Sequence, residues 1–395
     1  MGSIIKSSRI ESIDILRGLV MVIMALDHVR GYFHLGAMTY DPMDLETTTP
    51  ALFLTRFVTH FCAPVFIFLT GTSASLYGQK KSKRELSRFL WTRGLWLLFV
   101  EVVIMNFLWW FNPAYEFLML QVIWVIGLCM ILLSVLIYLP PRWLIALSLL
   151  TVFLHNLMDG ITAQGNSISS VLWYVLHQSN MVFYGPDRAV GFFYPLIPWF
   201  AVMSLGYCFG SLYHKGRDKE RRKKYLLYLG FASIGIFLLL RTLNVYGDMA
   251  PWSVQKNGLF TFFSFINVTK YPPSLLYLLI TIGPTFLVLY FLEEIRTSWM
   301  DFLVVFGRVP FFYYLLHVLF IHLAALLTLV LLGKDWKLMI FDAASMTTDK
   351  MAHYGYSLGV VYLVWVGIVI VLYPFCKKYM TYKIVHKEKW WLSYL

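Results

Sequence analysis

The sequence predicts an all-α membrane protein, a bundle of about ten transmembrane helices that forms a single domain over residues 1–395. Two observations predict this class. Hydrophobic residues make up 59% of the chain and charged residues only 14%, whereas about a quarter of the residues of a soluble protein are charged. Apolar stretches also recur at the length of about 20 residues that a helix needs to cross a bilayer. No polar stretch is long enough to bury a core of its own.

The predicted spans follow one another along the chain, and the fifth is the shortest. They cover residues 10–30, 51–77, 89–111, 118–138, 142–158, 189–212, 225–243, 273–292, 308–332 and 356–375. An amphipathic segment at 296–306 is expected to lie at the membrane interface before the ninth span. Long connections, which are typical of loops that build a binding surface, are expected at 159–188, 244–272 and 333–355.

Basic residues give the predicted bundle an orientation. Lysine and arginine are concentrated at 80–88, 215–224 and 377–389, whereas the loop at 31–50 has acidic residues and no lysine or arginine. With ten spans the basic segments share one side, and the positive-inside rule makes that side, together with both termini, cytoplasmic. This topology accounts for the net charge of +12, so nucleic-acid binding is not indicated.

Several classes of function lack their usual motifs. The four cysteines are scattered, which indicates neither a disulfide framework nor a zinc site. There is no glycine-rich phosphate loop, no pair of metal ligands at i and i+4, and no nucleophile elbow. An ATP-driven pump or a metallohydrolase is therefore unsupported, and no metal site is expected. The charged start of the first span, with no small-residue cleavage site after it, also argues against a cleaved signal peptide.

The first predicted span carries ionisable residues that a simple anchor lacks. Asp14, Arg17 and His28 share one helical face with Met21 and Met24. An ionisable group in hydrocarbon costs about 2.5–3.5 kcal/mol even on the lower estimates, so such groups usually have a function. Arg17 and His28 are eleven residues apart, roughly 16 Å along a helix. This stripe predicts a polar path through the membrane.

His28 is the first candidate for a general base, because a neutral imidazole accepts a proton from a hydroxyl or an amine near neutral pH. The adjacent Asp27 is a second catalytic candidate, although neighbouring side chains on a helix diverge by about 100°, so a carboxylate from another element is better placed to orient the ring. His34 in the following loop is a rival catalytic histidine, and His60 can reach the same outer cavity. The alternative for His28 is one structural hydrogen bond at the membrane interface.

Other polar residues divide between binding and structural roles. Arg17 can grip a phosphate or carboxylate through its guanidinium fork, or simply pair with Asp14 one turn earlier. Glu101 is expected to meet Arg17 across a helix interface as part of the scaffold, and His317 either lines a cavity or packs among aromatic rings. The outer side offers a set of substrate-binding candidates, which are Arg30, His60, Lys270 and Tyr271.

Four sequence motifs resemble one known family. They are RIESIDILRG at 9–18, DHVR at 27–30, APVF at 63–66 followed by GT at 71–72, and FGRVP at 306–310. The chain resembles the membrane acetyltransferases related to lysosomal heparan-α-glucosaminide N-acetyltransferase, especially their bacterial relatives. Arg17 and His28 also match the arginine, ten residues and a histidine that a broader superfamily of membrane acyltransferases shares in its first core helix.

The resemblance implies acetyl-CoA as donor on the cytoplasmic side and an acceptor on the outer side. Arg17, with Arg93 and Arg308, would then hold the CoA, and His28 would face the acceptor. In the lysosomal enzyme the active histidine lies in the luminal loop after that helix, so His34 is the nearer match by location and the choice of base stays open. A heparan chain does not suit a bacterial enzyme, which leaves the acceptor open as well.

The first hypothesis is transfer of an acetyl or short acyl group to a sugar amine or hydroxyl at the outer face of a bacterial inner membrane. The expected partners are the lipid bilayer, a glycan or amino-sugar acceptor and, as a candidate, a second copy of the chain in a homodimer. The alternative is a proton-coupled transporter that uses the buried ionisable residues, but transporters usually have internal repeats and none is detectable here. A membrane scaffold without catalysis explains the buried charges less well.

Overall fold

A computed structural model describes residues 10–37, 40–185, 187–342, 345 and 354–393. Helices make up most of this part of the chain, as predicted. They are α1 (Glu11–Phe33), α2 (Pro50–Thr59), α3 (Cys62–Gly78), α4 (Lys83–Phe99), α5 (Asn106–Trp110), α6 (Val122–Leu136), α7 (Pro141–Leu154), α8 (Ile168–Leu176), α9 (Leu196–Gly210), α10 (Lys219–Leu243), α11 (Gly258–Ile266), α12 (Leu275–Glu294), α13 (Met300–Arg308), α14 (Pro310–Leu331) and α15 (Leu358–Val385).

The prediction of a helical membrane bundle is confirmed. Within the described residues, eight helical segments are long and apolar enough to cross a bilayer: Pro50–Gly78, Lys83–Trp110, Pro141–Met158, Leu196–Tyr213, Lys219–Leu243, Leu275–Glu294, Pro310–Leu331 and Leu358–Val385. The remaining two predicted spans correspond to α1, which is rich in charge, and to α6, which has only 15 residues. Both pack inside the bundle.

The main differences from the predicted spans lie at their ends. The fourth and sixth spans begin with strands instead of helix: β1 (Phe117–Leu120) and β3 (Ala189–Phe192). These pair in parallel, and β2 (Asn180–Phe183) adds antiparallel to β3, giving the order β1-β3-β2. Periodicity could not separate a short apolar strand from a helix start. The long connections 159–188 and 244–272 contain α8, β2 and α11.

Local sequence explains where several helices begin. Ser82 accepts from the Glu85 amide, and the Glu85 carboxylate accepts from the Ser82 amide, which forms a capping box at the start of α4. Asp218 caps α10 and Ser274 caps α12 in the same general way. In the chain between α4 and α5, residues Val100–Met105 form a π-helical turn, a feature that often accompanies functional sites.

The helix α1 lies at the centre of the bundle, in contact with α2, α3, α12, α13, α14 and α15. Its closest neighbour is α13, and two glycines permit the approach. A Cβ atom at Gly18 would lie 1.9 Å from the Leu303 carbonyl oxygen, and one at Gly307 would lie 1.8 Å from the Asp14 carbonyl oxygen. The segment that was expected to lie at the interface is therefore packed against the lead helix, which holds Asp14 and Arg308 side by side.

Candidate functional site

A pair of histidines lies near the C-terminal end of α1. Nδ1 of His28 is 2.6 Å from Nε2 of His317 on α14, and the two rings are stacked. His317 Nδ1 lies 3.0 Å from the Tyr313 carbonyl oxygen, to which it donates. A neutral imidazole has one N–H, so His317 Nε2 is the acceptor and His28 donates to it from Nδ1.

This chain of hydrogen bonds fixes the tautomer of His28. Its Nε2 carries the free lone pair, and Nε2 makes no hydrogen bond to the described residues. The ring is only half-buried, whereas His317 is fully buried. The His28 ring therefore offers an unprotonated nitrogen to a small molecule. The expectation that a carboxylate would orient this ring is wrong, since His317 does so.

Asp27 is held away from His28 by two arginines. Its Oδ1 accepts from Arg30 at 3.2 Å, and its Oδ2 accepts from Arg56 on α2. We call Asp27, Arg30 and Arg56 the Asp27 cluster; it contains two cations and one carboxylate, all of them half-buried or buried.

Aromatic residues and His60 complete the wall beside the Asp27 cluster. The Lys270 ammonium lies 5.0 Å from the centre of the Tyr271 ring, and the Tyr271 and Tyr194 hydroxyls are 3.4 Å apart. Burial by itself would raise the pKa of Tyr271, but the charges of Lys270 and Arg56 outweigh it and hold that pKa below its ordinary value. His60 is buried, and its Nδ1 has no hydrogen-bond partner in the described chain. The local field is thus positive.

Two buried donors next to His28 also lack ordinary partners. The Trp109 ring packs edge-on against His28 with centroids 4.8 Å apart, and Tyr314 packs at 6.4 Å. Trp109 Nε1 and the Tyr314 hydroxyl lie close together, yet neither makes a hydrogen bond of normal geometry with the described residues. Leaving a buried donor unsatisfied costs about 1–3 kcal/mol, so this arrangement suits a site that receives an acceptor atom from a ligand.

His34 lies in a separate but adjoining pocket. The pocket has a volume of about 440 Å³ and is lined by Arg30, His34, Asp41 and Thr48 among others. Burial and then the charge of Arg30 lower the pKa of His34, so this ring is also neutral near neutral pH. Because Arg30 faces the pocket and also binds Asp27, it connects the pocket to the Asp27 cluster.

A second charged cluster lies at the other end of α1. Asp14 accepts from Arg17 at 3.4 Å through Oδ1 and from Arg308 at 3.3 Å through Oδ2. Arg17 also donates to Ser73 Oγ at 2.8 Å and to the Gly307 carbonyl oxygen at 3.1 Å. Both arginine side chains keep some exposed surface, 16% for Arg17 and 11% for Arg308. This Asp14 cluster, formed by Asp14, Arg17, Ser73 and Arg308, holds two cations around one carboxylate.

Apolar packing separates the two clusters. Met21 is fully buried and Met24 is 6% exposed, although both lie on the same face as Arg17 and His28. The predicted continuous polar path is therefore wrong for this conformation: two polar sites are separated by methionines. Methionine side chains are flexible and repack easily, so this separation is easier to open than one made of branched side chains.

Other predicted residues lie elsewhere. Glu101 does not pair with Arg17. Its Oε1 accepts from the backbone amide of Gln121 at 2.8 Å, and its Oε2 is buried without a partner in the described chain. Arg93 lies over the Phe89 ring on α4, a helix that packs mainly on α6. Arg93 therefore belongs to a different helix pair from the Asp14 cluster.

Several residues of these sites, among them Arg56, Trp109 and Ser73, were not predicted from the sequence. Arg56 is an arginine within the second predicted span, and the rule that a charge inside a membrane span is functional would have found it. Trp109 and Ser73 carry no such signal, because an aromatic ring near a span end and a serine in a helix are both common.

Comparison with known proteins gives the family. The profile of the catalytic domain of heparan-alpha-glucosaminide N-acetyltransferase matches residues 9–246, which is more than half of the chain. The chain belongs to this family. A search among curated proteins finds no match.

Membership of the heparan-α-glucosaminide N-acetyltransferase family implies a membrane acyltransferase with an acetyl-CoA-type donor. The match includes α1 and α3, and hence His28, Arg17 and Ser73. Residues beyond 246 lie outside it, and these supply His317 and Arg308. The histidine pair and the Asp14 cluster are therefore completed by the part of the chain that the family profile does not match.

Proposed function

We propose that the protein transfers an acetyl or short acyl group from acyl-CoA on the cytoplasmic side to a sugar amine or hydroxyl on the outer side. The observation that carries this proposal is the pairing of His28 with His317, which leaves Nε2 of His28 unprotonated and without a hydrogen bond to the described residues. The whole chain acts as one domain in this view, because α14 packs on α1 and provides His317.

The donor fits the Asp14 cluster best. Arg17 and Arg308 are partly exposed cations, and a guanidinium binds phosphate oxygens in a fork. Another arginine lies at the same end of α1, where Arg296 pairs with Glu11 at 3.2 Å. Positive-inside topology makes this end cytoplasmic. Arg93 is not part of the proposed donor site, because it lies on α4, which packs mainly on α6.

The acyl group must pass the methionines to reach His28. Arg17 and His28 are separated by roughly 16 Å along α1, and the packing of Met21 and Met24 fills that distance. A narrow, flexible acyl-bearing arm can displace two methionine side chains more easily than a bulky nucleotide can. The packing therefore favours a donor whose nucleotide stays at the Asp14 cluster while its acyl end moves to the histidine pair.

The proposed chemistry is acyl transfer with His28 as general base. Nε2 takes the proton from the acceptor amine or hydroxyl as that atom attacks the acyl carbonyl carbon. The new C–N or C–O bond forms, the C–S bond of the thioester breaks, and the proton passes to the departing sulfur, which leaves as a free thiol. Nδ1 of His28 stays bonded to His317 throughout, so the forming imidazolium is oriented and stabilised.

Trp109 and Tyr314 are our candidates for stabilising the negative oxygen that develops on the acyl carbonyl. Both have buried donors that lack a hydrogen bond of normal geometry within the described chain, and both rings contact His28. Donors placed in advance where charge develops are among the largest contributions to catalysis.

The test is thiol release by the protein purified in detergent, with acetyl-CoA and a panel of amino sugars. We expect acceptor-dependent release that His28→Gln lowers by about 10²-fold or more, which is the usual value of a general base, while His34→Gln retains most of the activity. Release that depends on His34 instead of His28 would move the base to the adjoining pocket. Solute uptake into proteoliposomes without an acyl donor would favour transport.

A further inference from the structure

His322 on α14 is fully buried, and hydrogen-bond acceptors face both of its ring nitrogens. Its Nδ1 lies 2.9 Å from the Leu108 carbonyl oxygen, and its Nε2 lies 2.7 Å from the Met339 carbonyl oxygen. The Tyr32 hydroxyl oxygen is 3.4 Å from Nδ1, but its proton is donated to the Trp109 carbonyl oxygen at 2.6 Å. Each of these three oxygens is therefore available to His322 only as an acceptor.

A neutral imidazole does not fit this environment. It has one N–H, so the other ring nitrogen would direct its lone pair at a buried carbonyl oxygen. That contact is unfavourable, because two buried acceptors face each other and neither is paired. The imidazolium form has two N–H groups and satisfies both carbonyl oxygens. The geometry around His322 is thus that of a ring with one additional proton.

Another buried cation in this fold is held in the same manner. Arg241 is only 1% exposed. Within the described residues its hydrogen bonds all go to backbone carbonyl oxygens, which are those of Ala250, Ser264, Phe265 and Asn267. Hydrogen bonds from a charged donor are stronger than those between neutral groups. Carbonyl oxygens alone therefore hold a buried cation elsewhere in the chain.

The described residues around His322 bring no aspartate, glutamate, lysine or arginine into contact with its ring. Three aromatic rings contact it, those of Tyr32, Phe111 and Phe341. Tyr32 on α1 is titratable, and its hydroxyl is already hydrogen-bonded. On α14 itself, His317 lies earlier on the helix and is bonded to the lead helix. Glu116 approaches this region through Asn112, whose amide donates to it and to a backbone carbonyl oxygen.

His322 is joined to the proposed catalytic site through Trp109. The Leu108 carbonyl that faces His322 belongs to the residue before Trp109, and the Trp109 ring packs on His28. Phe111 stacks on His322 with ring centroids 3.8 Å apart and has a φ of 46°. This value is uncommon for a bulky residue and persists only where the surrounding structure holds it. The position of this segment therefore depends on His322.

We propose that His322 is a positioning residue that holds Trp109 against His28, and that it does so as an imidazolium after taking up one proton from solution. The proposal rests on the proposed acyl transfer and adds a residue that acts on the reaction through Trp109. The neutral ring has to release either Leu108 or Met339, which loosens the segment that carries Trp109. Protonation of His322 therefore tightens the wall of the site.

Nitrogen NMR of the isotope-labelled protein in detergent tests the charge of His322 without any substrate. The signals of this ring are identified by their loss in His322→Gln or in His322→Asn. The measurement covers about pH 5 to pH 8, the range in which histidine ordinarily changes its charge. We expect both ring nitrogens to be protonated at the acidic end. A ring with one protonated nitrogen over the whole range would overturn the proposal.

The indole N–H signal of Trp109 tests positioning without turnover. It is identified by its loss in Trp109→Phe. At the acidic end this signal should differ between wild type and His322→Gln, whose amide is neutral at every pH. The difference should decrease wherever His322 loses its second ring proton. Identical Trp109 signals in the two proteins at every pH would show that His322 does not position this ring.

Turnover measures the effect on the proposed reaction. Where His322 is an imidazolium, kcat for thiol release should be about tenfold higher in wild type than in His322→Gln, the size expected for a charge-assisted hydrogen bond. Where the ring is neutral the ratio should be close to one, because an amide presents its donors at one end only. Titration of His28 affects both proteins and cancels in the ratio. A ratio that does not follow the protonation of His322 would overturn the positioning role.

The double variant of Trp109→Phe and His322→Gln tests whether His322 acts through Trp109. Its kcat should match that of Trp109→Phe alone, because the group that His322 positions is already missing. A further loss of about tenfold, the full effect of the single change, would overturn this route.

The matched control is His386→Gln. His386 follows α15, is bonded to Glu388 and keeps 35% of its side chain exposed. This change should leave both kcat and the Trp109 signal as in wild type at each pH. Equal effects of the two glutamine variants would overturn the assignment to His322.

Failure of this inference and failure of acyl transfer give different results. The two NMR measurements need neither donor nor acceptor. A doubly protonated His322 with a dependent Trp109 signal would therefore support the inference even if no thiol is released, and would leave acyl transfer as the failed proposal. Thiol release from a protein whose His322 is singly protonated at every pH would overturn the inference and leave acyl transfer standing.

Discussion

His28 and His317 are 289 residues apart in sequence, and their facing ring nitrogens are 2.6 Å apart. The pair has a direction, because the Tyr313 carbonyl oxygen fixes the proton of His317 on Nδ1. His317 thus acts as a positioning residue: it selects the tautomer of His28 in which Nε2 can receive a proton. Orientation of this kind needs only the backbone carbonyl and two imidazoles.

His317→Phe should lower kcat about 100-fold with little change in KM, because it removes the acceptor that orients His28 and the base contributes about 10²–10⁴. His317→Gln should retain clearly more activity, since an amide oxygen can accept the same hydrogen bond. Steady-state thiol release, with thermal unfolding of both variants in detergent, is the measurement. A purely structural His317 would make the activity follow the stability of the two variants, and equal kcat for Gln and Phe would count against positioning.

Trp109→Phe tests the proposed stabilisation of the acyl oxygen. The ring contact with His28 is largely kept, but the indole N–H is lost, so kcat should fall at least about tenfold while KM for either substrate stays within about twofold. Removal of one such donor elsewhere costs about 10²–10³ in kcat.

The matched control for that change is Trp96→Phe. Trp96 stacks on Phe99, on the helix preceding the π-helical turn, so this substitution should leave kcat unchanged. A similar loss in both variants would indicate that tryptophan packing, and not the Trp109 donor, matters for turnover.

The fold was predictable because hydrophobic length and basic loops are properties of single segments. The strands at the starts of the fourth and sixth predicted spans were not predictable. β1 and β3 pair across 72 residues of chain, and each strand alone resembles the start of a helix. The close packing of α13 on α1 was also missed. It depends on Gly18 and Gly307 meeting backbone atoms of the other helix, and no local pattern marks such a meeting.

The candidate site was predicted in part. His28, Arg17 and Arg308 carry charge or chemistry within apolar sequence, and this can be recognised from one chain. The pairing of these groups cannot be recognised from one chain, because it depends on how the helices meet. Glu101 was expected beside Arg17 and instead accepts from the backbone amide of Gln121. The methionine packing between the clusters was invisible for the same reason, since Met21 and Met24 share the polar face and are closed off by other helices.

The Asp14 cluster predicts an effect on the donor alone. Arg17→Gln and Arg308→Gln should each raise KM for acetyl-CoA about 10-fold to 100-fold, the range expected for a hydrogen bond to a charged group. Arg17→Lys should not restore the low KM, because one ammonium cannot reproduce the guanidinium fork. Initial rates at varied acetyl-CoA and fixed acceptor provide the comparison.

Arg296→Gln is the control for the donor site. Arg296 is at the same end of α1 and pairs with Glu11 and Asp301, but it is 38% exposed and outside the cluster. Its loss should leave KM for acetyl-CoA unchanged. If all three glutamine variants raise KM equally, a diffuse positive surface binds the donor and the Asp14 cluster does not.

Gly18→Ala should destabilise the protein, and Gly31→Ala on the same helix should not. A Cβ atom at Gly18 meets the Leu303 carbonyl oxygen at 1.9 Å, whereas nothing lies within 4 Å of one at Gly31. Overpacking costs about 1–3 kcal/mol, and alanine in a helix is otherwise favoured over glycine by about 1 kcal/mol. Thermal unfolding in detergent should therefore show a lower Tm for Gly18→Ala alone; similar Tm values would mean that α1 and α13 are not in close contact.

The final prediction concerns Tyr271 and pH. The positive charges of Lys270 and Arg56 outweigh the effect of burial, which alone would raise the pKa of Tyr271, and the Tyr194 hydroxyl adds to their effect against that of Asp27. Its pKa is therefore below the ordinary value of about 10, and the phenolate forms earlier as pH rises. A phenolate cancels part of the positive charge of Lys270 and Arg56, so affinity for a sugar phosphate used as an anionic probe should be full below this pKa and decrease above it.

The measurement is the Kd of glucosamine 6-phosphate from about pH 7 to about pH 10. The phosphate is already ionised throughout, since its second pKa is about 6, and the sugar amine titrates equally in every variant. Tyr271→Phe should remove the part of the pH dependence that belongs to Tyr271, so the wild-type Kd should rise more steeply with pH than that of the variant. Parallel curves for the two proteins would show that Tyr271 stays neutral in this range and that the field of Lys270 and Arg56 is weaker than the structure indicates.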